Sequence, residues 1–218
     1  MTYTIDDLSR EVRVAIDQNM LSTALAGIGD PDTLAMNDII KQKLPIAARI
    51  VESSASFHLL DSGRAFGDSI RWHSYAGLGS GEILLPDDFL RLVCFQMSDW
   101  DRAVTTVVRE DSELYAMQQS RYPGVRGNPQ DPVVAITSQP AGLVLEFYSC
   151  TAGSDVFVRR ARYIPIPRVV DGNIELCEKL VPAIVNYAGY LTVLTYGESG
   201  ENSTIAANLL NQAKELMT

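Results

Sequence analysis

The sequence predicts an α+β fold in which N-terminal and C-terminal helices form a bundle around or beside a mostly antiparallel β part. Apolar residues recur at spacings of three and four near both ends of the chain, as in amphipathic helices. Between them, short apolar and aromatic runs alternate with turn residues, as in antiparallel strands. The sequence lacks the regular alternation of strands and helices that produces a parallel sheet. We expect one domain over residues 1–218, with helical parts at 4–55 and 174–217 and a β-rich part inserted at 57–170.

The first two helices have recognisable signals. Thr4 is a suitable N-cap, and Asp6 and Asp7 in the first turn complement the helix dipole. The apolar face of this helix consists of Ile5, Leu8, Val12 and Ile16. A second helix is expected over residues 37–54, with a kink or a division into two stacked pieces at Pro45.

The middle of the chain is predicted to be mostly strands. They are expected at residues 69–75, 89–97, 103–108, 133–137, 143–148 and 156–163, with a short helix at 110–119. Residues 121–132 hold three Pro and two Gly, which predicts a long exposed loop. Residues 77–81, Gly-Leu-Gly-Ser-Gly, are expected to form a flexible hairpin tip.

The C-terminal part is predicted to return to helix. A long apolar helix is expected over residues 174–196, with Gly197 as its C-cap. A last helix, capped by Asn202 or Ser203, is expected to end near Met217.

The composition excludes some functional classes. The chain carries 18 Lys and Arg against 27 Asp and Glu, a formal net charge of -9 at pH 7. A free-standing nucleic-acid binder needs a basic face, so this balance argues against one, although DNA could still slide past such a protein. The three widely spaced cysteines, Cys94, Cys150 and Cys177, predict buried small hydrophobic residues in a reducing compartment. We expect neither a secretory signal nor a transmembrane helix.

No catalytic, cofactor or metal site is predicted. Gly67-Asp68-Ser69-Ile70 resembles the start of an esterase signature, but that chemistry needs a later histidine and the last one is His73. A turn is therefore favoured there. His58 and His73 could approach each other across two strands, but solvent-facing histidines are favoured over a site. The Gly-rich residues 77–81 lack the Lys-Ser/Thr pair of a phosphate loop, and no metal-binding spacing occurs.

One basic cluster stands out in this acidic chain. Arg159, Arg160 and Arg162 fall on a predicted strand, where Arg160 and Arg162 share a face and Arg159 points the other way. The cluster is either a solvated or salt-bridged strand, or a contact for an acidic partner surface or a phosphate. The sequence leaves both interpretations open.

The order of several segments resembles the head–tail adaptor proteins of tailed bacteriophages, also called connector, head-completion or tail-tubular gatekeeper proteins. The most specific segment is Ile-Leu-Leu-Pro-Asp-Asp-Phe-Leu-Arg-Leu at residues 83–92, followed by Trp-Asp-Arg at 100–102. The other matching segments are residues 3–8, 34–55, 143–148, 163–165 and 174–176. The chain departs from the family at residues 32–37, Asp-Thr-Leu-Ala-Met-Asn, where the usual Trp-Ser/Thr-Asp/Asn start of the second helix is missing.

The resemblance implies a structural role without catalysis or cofactors. Such proteins form a ring of about twelve subunits below the portal, lined by a helical bundle, with a β-rich part that projects outward or toward the tail. The ring seals the packaged head, docks a downstream tail or neck protein and lets genomic DNA pass through its lumen. The implied location is the head–tail junction of the virion, after assembly in the bacterial cytoplasm and without membrane contact.

Two features of this chain fit that role. A ring of subunits that each carry a charge of -9 repels the DNA backbone and so favours passage. The loop at residues 121–132 carries Arg121, Tyr122 and Arg126, residue types enriched at binding hot spots. The candidate partner interface therefore consists of Arg121, Tyr122, Arg126, Arg159, Arg160 and Arg162.

Two other functions remain open from the sequence. The chain could be a different neck or tail-completion protein with fewer subunits. It could also be a small α+β hydrolase or ligand-binding domain built around His58, His73 and residues 67–69.

Overall fold

The computed structural model describes residues 1–19, 36–67, 69–73, 79–118, 120, 122, 124–151, 155–195 and 200–218. The α-helices are α1 (Ile5–Asn19), α2 (Met36–Ser54), α3 (Glu113–Gln118), α4 (Val181–Thr195) and α5 (Gly200–Leu216). The strands are β1 (Thr2–Thr4), β2 (Arg64–Ala65), β3 (Arg71–Trp72), β4 (Gly79–Leu84), β5 (Phe89–Met97), β6 (Val134–Gln139), β7 (Gly142–Cys150), β8 (Val158–Pro165), β9 (Val169–Val170) and β10 (Asn173–Glu175). This content confirms the α+β class.

The chain divides into two compact units. A helical unit combines Met1–Asp61 with Ile166–Thr218, and a β-rich unit consists of Ser62–Pro165. Both ends of the chain therefore belong to one unit, and the β-rich unit is inserted between α2 and α4.

Helix α4 is the centre of the helical unit. It packs against α1, α2 and α5, and its buried side chains lie on most of its circumference. A helix that is apolar all round is stable only when other elements cover it. Gly189 allows this close packing, because a Cβ at that position would lie 3.3 Å from Leu209 Cδ1 and 3.4 Å from Ile16 Cγ1.

The start of α1 confirms the predicted cap. The backbone N–H of Asp7 donates to Thr4 Oγ1 at 3.1 Å, which satisfies one of the free donors of the first turn. The predicted apolar face is buried: Ile5, Leu8, Val12 and Ile16. Helix α2 runs continuously through Pro45 rather than as two stacked pieces.

Two predictions for the C-terminal part are wrong. Residues 173–175 form β10 and not the start of a helix, because Ile174 pairs with Tyr3 in a sheet of order β1-β10-β9. Helix α4 begins only at Val181, with Pro182 in its first turn, where proline is tolerated. Helix α5 begins at Gly200, so Asn202 and Ser203 lie inside it and do not cap it. The predicted C-cap Gly197 lies outside the described residues.

The β-rich unit consists of two antiparallel sheets packed face to face. One has the order β2-β8-β5 and the other β3-β4-β7-β6. Phe95 from β5 stacks on Phe147 from β7 at 5.9 Å between ring centroids, in a shared core with Trp100, Leu145 and Ala161. Aromatic stacking of this kind adds to the area that the two sheets bury.

Residues 103–108 do not form the predicted strand. Val104 exchanges two 2.8 Å backbone hydrogen bonds with Phe95 at the edge of β5, and the N–H of Val108 donates to Val134 O at the edge of β6. The segment therefore runs from one sheet edge to the other, and it satisfies edge groups of both sheets.

The sequence predicts a hairpin tip at residues 77–81. The described part of that segment, residues 79–81, belongs to strand β4 instead. Gly81 pairs with Phe147, and a Cβ on Gly81 would lie 2.6 Å from Phe147 Cζ. The glycine is thus required by close packing within a strand and not by a turn. Residues 77 and 78 lie outside the described residues.

Candidate partner interface

The three arginines of β8 form an exposed basic surface, here called the arginine face (Arg159, Arg160 and Arg162). Strand β8 is the middle strand of its sheet, and Ala161 between the arginines is buried in the core. Alternation along the strand therefore points Arg160 and Arg162 away from the core. Arg159 is exposed as well, because it is the extra residue of a β-bulge: Gln96 pairs with Arg160, and Met97 with Val158.

The arginine face has no neutralising partner among the described residues. Among the described residues, its side chains form one hydrogen bond, of 3.1 Å, from Arg162 Nη1 to the carbonyl oxygen of Gly63. Arg64 on the neighbouring strand β2 behaves differently, because it forms a 3.1 Å ion pair with Asp88. The other oxygen of Asp88 accepts a 2.7 Å hydrogen bond from the hydroxyl of Tyr163.

The loop after α3 presents one large aromatic side chain to solvent. Tyr122 is 74% exposed, and Val125 nearby is also exposed. Arg126 is only half-exposed, and burial lowers the pKa of its guanidinium. Of the predicted loop residues, Tyr122 is therefore the most available to a partner, while Arg121 lies outside the described residues.

The second half of this loop is mostly exposed, as the sequence predicts, and it is held in place by hydrogen bonds. The buried side chain of Gln118 accepts a 2.9 Å hydrogen bond from the N–H of Gly127. Asn128 Oδ1 accepts hydrogen bonds from the N–H groups of Gln130 and Asp131, each 3.0 Å long. These hydrogen bonds fix residues 127–131 at the base of the loop.

Helix α3 is fastened to the outer side of the four-stranded sheet through a buried carboxylate. Glu146 on β7 is 8% exposed and faces away from the core that holds Leu145 and Phe147. Three hydroxyl groups donate to it: Thr137 Oγ1 at 2.8 Å, Tyr115 of α3 at 3.3 Å, and Tyr148. Burial raises the pKa of Tyr148 and that of Tyr115, so both hydroxyls remain donors.

Exposed acidic and apolar side chains occur together at α3. They form the α3 surface, defined here as Glu113, Leu114 and Met117 of α3 together with Glu110 in the turn before it. Leu114 is 54% exposed and Met117 is 43% exposed. Neither Glu110 nor Glu113 forms an ion pair with a described residue, so the α3 surface combines unpaired negative charge with exposed apolar area.

A second carboxylate lies beside Glu146 on the same face. Glu82 on β4 is the direct cross-strand partner of Glu146. It accepts hydrogen bonds of 3.0 Å from Gln139 Nε2 and from Arg71 Nη1, and lies 3.5 Å from His73 Nε2. The hydrogen bond from Gln139 is the main cause that lowers the pKa of Glu82.

The residues of the predicted hydrolase alternative are placed as follows. His73 contacts Glu82 at the edge of the sheet. His58 lies in a short 3-10 helix, Phe57–Leu59, of the helical unit, so the prediction that the two histidines lie on two strands is wrong for His58. Ser69 is exposed, and Asp68 lies outside the described residues.

The predicted burial of the cysteines is confirmed. All three are free and buried. Burial raises the pKa of Cys177 to about 12 and raises that of Cys150 as well, so these thiols stay protonated at neutral pH. The described part of the chain contains no group of three or more His, Cys, Asp or Glu side chains arranged to hold a metal ion. Among its helices, none has the length and apolar character needed to span a bilayer.

Sequence reasoning missed Glu146 and the anchoring of α3. The sequence held one signal, a single Glu within the apolar run at residues 143–148. A carboxylate that is buried in a strand needs hydrogen-bond donors nearby, so this Glu indicated a polar contact. The donor Tyr115 lies 31 positions away and on another element, so its role could not be read locally.

Comparison with known proteins gives no assignment. Neither the protein-family models nor the curated proteins contain a match to this chain.

Proposed function

We propose that this protein is a structural virion component, a subunit of the head–tail adaptor ring of a tailed bacteriophage. In this role it docks on the portal, seals the packaged head, joins a downstream tail or neck protein and lets DNA pass through the ring. It assembles in the bacterial cytoplasm and remains at the head–tail junction.

The observation that carries the proposal is the order of the elements. Both ends of the chain build one helical unit, and an antiparallel unit is inserted between α2 and α4. The sequence segments on which the resemblance to head–tail adaptors rests follow one another along the chain in this same order of helical, β-rich and helical parts.

The segment with the most specific resemblance has a defined structural position. The N–H of Leu85 donates to Leu143 O at 2.9 Å, and the following Pro-Asp-Asp turn carries the chain from β4 in one sheet to β5 in the other. Asp88 in this turn accepts hydrogen bonds from Arg64 and Tyr163. Residues 83–92 thus join the two sheets of the inserted unit.

The exposed surfaces of the inserted unit support a role in protein contacts. The exposed Tyr122 and the unpaired arginine face are typical of protein–protein hot spots. The net charge of -9 supports a lumen that repels the DNA backbone.

The proposal is tested by placing a stop codon early in this gene within its phage genome. Electron microscopy of the resulting lysates is expected to show heads that lack tails, and a plasmid copy of the gene is expected to restore tailed, infectious particles. Tailed, infectious particles at normal yield without the plasmid would refute the proposal.

A further inference from the structure

The β-rich unit carries opposite charges on its two outer sides. The arginine face lies on the outer side of the three-stranded sheet, because Ala161 of the same strand faces the core. The α3 surface lies over the outer side of the four-stranded sheet, because Tyr115 bonds Glu146, which faces away from Phe147. The shared core separates the two sides, so they point in opposite directions.

The two surfaces are complementary in charge. The arginine face offers three exposed guanidinium groups that form no ion pair with a described residue. The α3 surface offers the carboxylates of Glu110 and Glu113, likewise unpaired, beside the exposed Leu114 and Met117. Arginine stems can cover apolar side chains while their heads meet carboxylates, so both properties of the α3 surface suit an arginine partner.

We infer that copies of this chain associate head to tail, with the arginine face of one copy on the α3 surface of the next. A contact between two different surfaces of the same chain is heterologous, and it generates a closed ring when the rotation per subunit closes. The step from this contact to a closed ring rests on the proposed function. A second copy is the occupant that the molecule itself supplies, since each of its two unpaired surfaces matches the other.

Charge reversal at each surface tests the contact. One variant combines Arg159→Glu with Arg160→Glu, because neither side chain forms a hydrogen bond or an ion pair with a described residue. The other is Glu110→Lys with Glu113→Lys. Each variant alone opposes like charges across the contact, and we expect about 100-fold weaker self-association of the full chain in sedimentation velocity at low salt.

Mixing the variants gives the decisive result. In an equimolar mixture every contact between the two variants is again complementary, so association is expected to return to near the wild-type strength. The control variant Arg49→Glu with Arg168→Glu makes the same charge change at exposed positions of the helical unit, and it is expected to associate like wild type. Circular dichroism melting checks that every variant is folded.

Three results would overturn the inference. They are a wild-type chain that stays monomeric at every concentration, reversal variants that associate like wild type, and a mixture of the two variants in which association does not return.

Failure of the proposed function can be distinguished from failure of this contact. A chain that associates and recovers on mixing but is absent from virions keeps the contact and loses the adaptor role. A chain present in virions whose reversal variants still assemble keeps the adaptor role and loses this contact.

Discussion

The hydroxyl of Tyr115 on α3 donates a hydrogen bond of 3.3 Å to the carboxylate of Glu146 on β7. The ring of Tyr115 also meets that of Tyr148 edge to face, with centroids 6.2 Å apart. A helix of six residues has little stability of its own, so this contact fixes α3 on the sheet. The contact of Tyr115 with Glu146 therefore also holds the exposed Leu114 and Met117 in position.

Substitution Tyr115→Phe is expected to loosen α3 while the sheet remains intact. Glu146 keeps its other two hydroxyl donors, so the loss is one hydrogen bond, about 0.5–1.5 kcal/mol of the free energy of unfolding. Hydrogen exchange is expected to accelerate in residues 113–118 more than in β7. Equal acceleration in α3 and β7 would contradict this anchoring role. Leu114→Ala is the control, since it removes an exposed side chain of the same helix and is expected to leave exchange in β7 and α3 nearly unchanged.

Substitution Gly81→Ala is expected to destabilise the β-rich unit by about 1–3 kcal/mol, the usual cost of overpacking a core. The added Cβ would lie 2.6 Å from Phe147 Cζ and 2.9 Å from the carbonyl oxygen of Arg71. Gly124→Ala is the matched control, because no heavy atom lies within 4 Å of a Cβ there. Urea unfolding of both variants measures the difference, and equal stabilities would show that β4 does not pack this closely on Phe147.

The stability of the helical unit is expected to depend on the protonation of Glu52. This residue is 2% exposed, its Oε1 accepts a 2.9 Å hydrogen bond from the N–H of Cys177, and burial raises its pKa. The folded state therefore holds the proton to higher pH than the unfolded state. The associated stability is present below the unfolded-state pKa of about 4.3 and is lost as pH rises through the folded-state pKa.

Glu52→Gln tests this dependence, because glutamine keeps an acceptor for Cys177 and does not titrate. The variant is expected to be more stable than wild type at pH 7, and the difference is expected to shrink toward about pH 4. Urea unfolding across this range measures it, with Glu215→Gln on the exposed side of α5 as the control. A pH profile identical to that of wild type would contradict the expectation.

Substitution Tyr122→Ala is expected to weaken partner binding without affecting folding. The side chain is 74% exposed, so the free energy of unfolding should change by less than about 0.5 kcal/mol. Loss of an interface tyrosine is expected to weaken binding to the purified portal or tail partner about tenfold or more. Phe157→Ala removes another exposed aromatic residue, just before β8, and serves as the control. Equal effects of the two substitutions would show that Tyr122 is not a specific contact.

The sequence predicts the elements whose signals are local. The cap at Thr4 and the apolar spacing of α1 lie within 13 consecutive residues, 4–16, and both are present in the structure. Elements set by distant partners were missed. Leu176 and Leu180 fit a helical period, yet Ile174 just before them pairs with Tyr3, which lies 171 positions away. In the sequence, Gly79 and Gly81 suggest a turn. In the structure, neighbouring strands approach so closely at these positions that a side chain would not fit.

The candidate interface was predictable only in part. A run of arginines on a strand is visible in the sequence, and the structure places all three on the surface. Their freedom from ion pairs depends on which carboxylates the fold brings near, and Asp88 pairs instead with Arg64. The α3 surface gave no sequence signal, because its orientation depends on the distant Glu146.

The central claim is that this protein belongs to the head–tail junction of a phage, and counting its copies in purified particles tests this most directly. Quantitative mass spectrometry of gradient-purified particles encoded by the same genome would measure this chain relative to the portal and capsid proteins. The adaptor ring predicts about twelve copies per particle, equal to the number of portal subunits. Absence of the chain from particles that contain portal and capsid proteins would contradict the claim.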